Sequence, residues 1–240
     1  MTDRDKPKDP TGRPGKVFST RPYFAHSLTQ NPGVITFGKA EKLITLKKAS
    51  PGMMVVLCEG RRGRGFYICQ LCGAGFAKRP QEHRSPFGRE CKGVLEHVAL
   101  GHEFVTDVLK VQFHPKQPEG MEPLWFAYSL SYALVEGAAE ILEVPTNDLS
   151  STVAHAAGLL VPEIVIYDNV PGGAGLVARL EEESILKACL SMALKRVSGK
   201  CGCDTSCYGC LRGFRNQFAH QHLRRVPVME YLDRLLSQWQ

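Results

Sequence analysis

The sequence predicts an α+β (mixed α/β) protein. Its small antiparallel or mixed sheets pack against helices and carry one or two zinc-knuckle elements. Three observations lead there. Short apolar runs of strand length stand at 33–37 (GVITF), 43–46 (LITL), 53–58 (MMVVLC) and 164–167 (IVIY), separated by Gly- and Pro-rich breaks. Apolar residues recur at helical spacing over 125–143 and near the C-terminus. Seven of the nine cysteines fall into two groups, with ligand-like spacing, that no apolar pattern explains.

The 240 residues allow one large domain or two small ones, and 43% apolar content supports a core. No run approaches the ~18 apolar residues of a membrane span. The N-terminus lacks the apolar stretch of a signal peptide. The expected location is therefore the cytoplasm, where thiols stay reduced and cysteine groups point to metal. Residues 1–16, rich in Pro, Gly and charge, read as a disordered basic arm. Residues 17–100 read as a β-rich zinc-knuckle region. Residues 101–240 read as an α/β zinc-binding domain closed by a C-terminal helix, or as one domain continuous from 17.

Charge is segregated: net +11 over 1–92, −11 over 93–186 and +6 over 187–240. Two basic ends flank an acidic middle. Either the ends pack on the middle, or a basic surface faces nucleic acid.

In chain order, Arg61, Arg62 and Arg64 form a basic Gly-containing loop, a solvated turn or a phosphate contact. A strand then runs into Cys69-Gln-Leu-Cys72-Gly, the form of a zinc knuckle, with His83 and Cys91 as the natural further ligands. Cys58 reads as core. A redox Cys-x-x-Cys lacks its βαβ context. Residues 105–113 alternate as one strand, and Asp107 interrupts its apolar face. Asp107 is either a structural carboxylate or, with His102 and Asp168, a catalytic or metal-ligating one. Trp125–Glu143 is a core helix with Glu136, Glu140 and Glu143 on its solvated side, stopped by Pro145.

Ile164–Tyr167 leads through Asp168 into Val-Pro-Gly172-Gly173-Ala-Gly175 and a helix starting near Leu176. Strand, glycine loop and helix suit either tight packing or an anion cradle. The helix runs to about Val197 and holds Cys189 as core. Next comes Cys201-x-Cys203-x3-Cys207-x2-Cys210, four thiols within ten residues. Loops this short gain little from disulfides, and four thiolates suit one tetrahedral Zn²⁺. An iron–sulfur cluster also takes four cysteines. Arg212 and Arg215 follow, with Tyr208 and Phe214 available to stack on bases or to pack the knot. His220 and His222 are expected at the surface or bonded to backbone. Pro227 to Trp239 forms a closing amphipathic helix.

Several of these motifs together resemble a known family. They are Cys69-x-x-Cys72-Gly, the 100–109 stretch LGHEFVTDVL, the 128–134 stretch YSLSYAL, the 167–175 stretch YDNVPGGAG, and the late cysteines with their CLRGFRNQ tail. In that order they resemble the MrfA-type zinc-binding domain. This domain lies at the C-terminus of superfamily-two helicases of the mitomycin-repair type and in the B component of DISARM anti-phage systems. The resemblance covers roughly residues 50–225. It implies zinc on Cys201, Cys203, Cys207 and Cys210. No G-x-x-x-x-G-K-[ST] motif and no room for two RecA-like lobes are present. The expectation is thus a zinc-binding accessory protein that works on DNA with a helicase or another defence-system subunit in trans. Arg212, Arg215, Arg61, Arg62, Arg64 and the loop of Gly172, Gly173 and Gly175 would make the nucleic-acid contacts. The alternatives are a metal-dependent phosphodiesterase or nuclease using Asp107, His102 and Asp168, and a purely structural bridging subunit.

Overall fold

The computed structural model describes residues 20–38, 41–60, 63–154 and 162–239. The proposed arm at 1–16, and Arg61 and Arg62, lie outside them. The strands are β1 (Thr20–Ser27), β2 (Val34–Phe37), β3 (Ile44–Lys48), β4 (Gly52–Cys58), β5 (Phe66–Cys69), β6 (Gly75–Phe76), β7 (His83–Arg84), β8 (Glu90–Cys91), β9 (Leu95–Val98), β10 (Leu100–Thr106), β11 (Val108–Phe113), β12 (Leu149–Ala154) and β13 (Glu163–Asp168). The helices are α1 (Pro123–Leu142), α2 (Glu183–Val197) and α3 (Arg225–Gln238). The described residues divide into two compact units: one contains Leu57–Gly101, with Thr20 and Arg21, and the other contains Pro22–Val56 and the residues from His102 onward. Residues 22–56 fall in the same unit as the described residues from His102 onward.

The larger unit is built on a five-stranded antiparallel sheet in the order β12-β13-β11-β3-β2. Every residue of β13 is buried. With a side-chain period of two, Ile164 and Ile166 enter the main core, while Val165 and Tyr167 join Ala49, Met54 and Val108 in a second cluster. Helices α1, α2 and α3 pack on the Ile164 and Ile166 face of the sheet and join Ile44 and Leu46 of β3 and Leu109 and Val111 of β11 in the main core. Pro123 begins α1, where its missing N–H costs nothing. Gly137 lets α2 approach, since a Cβ there would sit 2.3 Å from the Cys189 carbonyl oxygen and 2.7 Å from Ala193 N. Tyr231 of α3, fully buried, donates to the Pro115 carbonyl at 3.2 Å.

Several expectations change here. Residues 105–113 are not one strand, because the ladder breaks at Asp107 and β10 and β11 lie in different sheets. The helix expected from Leu176 opens as a 3₁₀ turn at Val177–Glu181, and α2 starts only at Glu183. Glu136 is not on a solvated face. It is half-buried and pairs with Arg196 of α2 at 3.0 Å, and burial raises its pKa against the pull of that guanidinium. Glu163, only 1% exposed, lies between Lys47 (2.6 Å) and Lys110 (2.8 Å). Burial works to raise its pKa, but the two ammonium groups prevail and hold it below the usual carboxylate range.

The smaller unit has a three-stranded sheet in the order β6-β5-β9 and a hairpin of β7 and β8. No described residue of 57–101 belongs to either hydrophobic core cluster. A segment this short that lacks a core needs another staple.

Candidate metal centres

The late cysteines form a compact cage. Their four Sγ atoms lie within 4.8 Å of one another. The closest pairs are Cys201–Cys203 at 3.5 Å, Cys203–Cys210 at 3.7 Å and Cys207–Cys210 at 3.9 Å. A disulfide would need ~2.05 Å. Four sulfurs about 2.3 Å from a central zinc make a tetrahedron with edges of ~3.8 Å. The spacing therefore fits zinc and no disulfide. The Cys207 N–H donates to Cys210 Sγ at 3.2 Å, the bond that steadies a thiolate. The Cys203 N–H pulls the Cys201 thiol down to about 7, while burial and the neighbouring thiols push Cys203 up to about 12. Four thiolates this close need a cation, and a bound zinc supplies the charge that holds all four ionised.

The cage is part of the larger core. Cys210 and Leu211 are buried in the main cluster, and Cys203 and Cys207 pack against it. Arg225 at the head of α3 clasps the surroundings. Its guanidinium donates to the carbonyls of Val197 (2.7 Å), Cys203 (3.1 Å) and Gly199 (3.3 Å). It thereby satisfies the C-terminal end of α2 with a cation, the charge that end favours. Arg196 donates to the Cys210 carbonyl at 3.1 Å.

The early group is Cys69, Cys72, His83 and Cys91, again with ligand atoms within 4.8 Å of one another. Cys69 and Cys91 Sγ are 3.7 Å apart. His83 points to a metal here: its Nε2 is buried and has no hydrogen-bond partner. A buried imidazole nitrogen without a partner is costly, and a metal among three sulfurs removes that cost. The Gly93 N–H donates to Cys91 Sγ at 3.4 Å. The Cys72 N–H pulls the Cys69 thiol down to about 6. The set is Cys3His with the geometry of a closed structural site. Cys58 and Cys189 are in neither cage. Cys189 lies in the main core, where burial pushes its thiol up to about 12.

Beyond Cys210 the chain folds around Asn216, which is buried. Its Oδ1 accepts from Gly213 N–H (2.8 Å), and its Nδ2 donates to the Leu211 carbonyl (2.9 Å). His220 Nε2 lies 2.9 Å from Asn216 Oδ1 and 3.0 Å from the Gly213 carbonyl. Both partners accept, so this nitrogen carries the proton. Burial lowers the pKa of His220, with the nearby Arg212 guanidinium acting in the same direction. His222 stacks on Trp125 with centroids 3.9 Å apart. The surrounding side chains are left facing outward. Tyr208 is 52% exposed, Phe214 is 71% exposed and Arg215 is exposed. Arg215 reaches the Asn147 carbonyl at 3.4 Å. Arg212 is half-buried and donates from Nε to Ser206 Oγ at 2.9 Å.

The glycine loop does not form an anion cradle. Buried Asp168 accepts from the N–H groups of Ala174 (2.8 Å), Leu176 (2.9 Å) and Val177 (3.0 Å), and Asp107 accepts from Gly175 (3.1 Å). The N–H groups of Gly172 and Gly173 go to the carbonyls of Val105 and Val170. The donors of Gly172, Gly173 and Gly175 are thus occupied by the protein's own oxygens. Gly173, at φ +81°, has no room for a Cβ, which would meet the Asp107 carboxylate at 2.2 Å. Asp168 and Asp107 are loop caps, the reading in which a carboxylate stands in for the anion. His102 stacks on Phe104. Among the described residues, the two cages are the only groups of three or more His, Cys, Asp or Glu with ligand atoms this close, and His102, Asp107 and Asp168 do not form one. Arg64 is exposed, and its carbonyl lies 2.7 Å from His97 Nε2.

One span, from within α1 to just past the last cysteine, carries all four late ligands. Residues 130–211 match the MrfA Zn-binding domain. The late cage lies within the span that is similar to that domain, and both cages offer ligand sets fit for zinc. A curated relative is the Druantia protein DruE of Escherichia coli (strain UMEA 4076-1). It is 27% identical over an alignment of 225 residues that covers 80% of this chain and 11% of the relative. The chain therefore spans about a tenth of that relative's length. Two solved structures of the DUF1998 helicase MrfA are also similar. One is bound to DNA (15% identity, TM-score 0.46, 95% of this chain and 26% of that one). The other is bound to DNA and AMPPNP (16% identity, TM-score 0.40, 92% and 23%). Among the described residues, no helix is long and apolar enough to cross a membrane.

Proposed function

We propose that this chain is a zinc-stabilised accessory domain that acts with a helicase on DNA, in anti-phage defence or DNA repair. The observation that carries the reading is the outward set Tyr208, Phe214 and Arg215. These residues lie on a segment fixed at one end by the four-sulfur cage and in its middle by Asn216. Exposed aromatics beside a guanidinium stack on bases and pair with phosphate. A metal-fixed loop presents them with little ordering entropy left to lose. The match to the MrfA Zn-binding domain and the similarity to DruE support the same reading. In it, the acidic stretch 93–186 is available to a protein partner.

The test is a titration of the zinc-loaded chain into labelled single- and double-stranded oligonucleotides at several salt concentrations. The reading expects affinity to fall steeply with salt, with a log–log slope of about −0.7 to −0.9 per phosphate neutralised. Phe214→Ala combined with Arg215→Ala should weaken binding about tenfold or more while both zinc sites stay filled. Absence of salt-sensitive binding to either oligonucleotide would overturn the direct DNA contact.

A further inference from the structure

The hairpin of β7 and β8 has a feature that the zinc site alone does not explain. Its tip is Ser85-Pro86-Phe87-Gly88. The Gly88 N–H donates to the Ser85 carbonyl at 2.9 Å, and Ser85 Oγ accepts from the Arg89 N–H at 3.2 Å. Serine first, proline second and glycine fourth is the composition of a tight β-turn. The turn places Phe87 at the apex, 90% exposed, more than any other large apolar side chain among the described residues. Arg84 and Arg89 flank it at the two stems, and both are exposed. Among the described residues neither enters an ion pair. The residues around it are cationic as well: over 63–101 there are six Lys and Arg against three Glu.

The base of the hairpin is equally specific. His83 and Cys91 are cross-strand partners in the ladder, and both are ligands of the early cage. A two-residue ladder is far too short to hold a hairpin by itself. The metal therefore acts as the clasp at its open end, and the tight turn closes the other. Folding has thus fixed an unpaired aromatic ring at the end of a short, metal-braced arm with a guanidinium on each side.

We propose that the Ser85–Gly88 tip is a second nucleic-acid contact, in which Phe87 stacks on an unpaired base of single-stranded DNA while Arg84 and Arg89 neutralise adjacent phosphates. Stacking needs an exposed π-face, and every base offers one, so the contact is sequence-tolerant. The charge around the tip is of the sign that a phosphate backbone attracts. An apolar protein groove would accept the ring but would leave the two flanking cations unmatched. The inference rests on the DNA reading above but concerns a different metal site and different residues.

The test uses the full zinc-loaded chain and a labelled oligothymidylate of about twenty nucleotides. Phe87→Ala should weaken binding about tenfold with both zincs retained, since the ring touches no core. Arg84→Gln with Arg89→Gln should flatten the log–log salt slope by about 1.4, two phosphates at ~0.7 each. Phe87→Trp should keep wild-type affinity, and its indole fluorescence should be quenched as the oligonucleotide is added. Arg215→Ala, in the same titration, reports on the late-cage contact alone. If wild type binds, Arg215→Ala weakens it and Phe87→Ala does not, the hairpin contact is refuted and the late-cage reading stands. A Phe87→Trp variant that binds without quenching also overturns the hairpin contact. A wild-type chain that does not bind at all overturns both readings.

Discussion

Replacing Gly93 with alanine should empty the early zinc site and leave the late one full. The backbone at Gly93 is not left-handed, so alanine brings no conformational penalty and its methyl group is the whole perturbation. That Cβ would stand 2.5 Å from Cys69 Sγ, 2.7 Å from Leu71 Cβ and 3.4 Å from Cys91 Sγ. Comfortable non-bonded contacts lie at about 3.5–4.0 Å, so Cys69 Sγ or the Gly93 backbone must move by about 1 Å. Metal sites tolerate about 0.2 Å in ligand distance. A shift several times larger removes Cys69 from the coordination sphere. Loss of a supporting outer contact alone costs 10–100-fold in metal affinity, so displacing a ligand should cost more than about 100-fold. The assay is competition with a chromogenic chelator, together with native mass spectrometry. Wild type should carry about two zincs and Gly93→Ala about one. Gly75→Ala is the control, because its Cβ would meet nothing within 4 Å. If Gly93→Ala kept two zincs with unchanged chelator competition, the assignment of Cys69 and Cys91 to one metal would be wrong.

Three further outcomes follow from the larger unit. Asp168→Asn leaves a single acceptor oxygen facing three N–H donors and turns an amino group toward at least one of them. The expected loss is about 3–5 kcal/mol, which a thermal melt reads as a fall of about 6–20 °C; a melt within a degree of wild type would refute the capping role. Glu163→Gln leaves Lys47 and Lys110 facing a neutral group, at about 3 kcal/mol, the low end for a broken buried pair because both lysines reach water. The native pKa of Glu163 is depressed, so its contribution is present above the unfolded value of about 4.3 and is lost as pH falls through the native value. Denaturant titrations from pH 6 to 3 should therefore show a flatter acid limb in the Gln variant; equally steep limbs would count against the pairing. Asn216→Ala should keep both zincs yet lower stability by about 2–3 kcal/mol and weaken DNA binding, with metal analysis, melts and anisotropy measured on one preparation. Zinc loss in that variant would show that Asn216 holds the cage and not the tail.

Much of the metal chemistry was legible because ligand spacing is a local property of the sequence. Cys201, Cys203, Cys207 and Cys210 fall within ten residues, and Cys69-x-x-Cys72 with His83 and Cys91 fall within about two dozen. Strand β12 was not legible, because its buried side chains include Ser151 and Thr152, which reach partners far along the chain at Ser131 and Pro22. No local pattern shows that a serine or a threonine is paired across 20 or 130 residues. Strands β7 and β8, two residues each, are too short for any periodicity to register. The glycine loop misled for a physical reason: a motif that presents N–H groups to an anion looks the same whether the anion is a ligand or the chain's own Asp168. The hydrogen-bond partners of the loop N–H groups distinguish the two, and sequence does not show them.

The two cages therefore do different work. The late one sits within a core that α1, α2, α3 and the five-stranded sheet already supply, with Cys210 and Leu211 among its buried members. Its zinc adds to a fold with other means of support, and its particular contribution is to fix where the Tyr208–Arg215 segment points. The early cage lies in a unit whose described residues of 57–101 contribute nothing to either hydrophobic cluster. There the metal replaces a core: it joins the end of β5, the knuckle turn and both stems of the β7–β8 hairpin at one point. Chelation should thus act in two stages. The smaller unit loses its hairpin and the exposed Phe87 its fixed position, while the sheet and helices of the larger unit persist. Hydrogen exchange during stepwise zinc removal reads this directly: amides of 66–98 should lose protection before those of β11 and β13. Simultaneous loss in both regions would mean that the smaller unit draws its stability from somewhere other than its own metal.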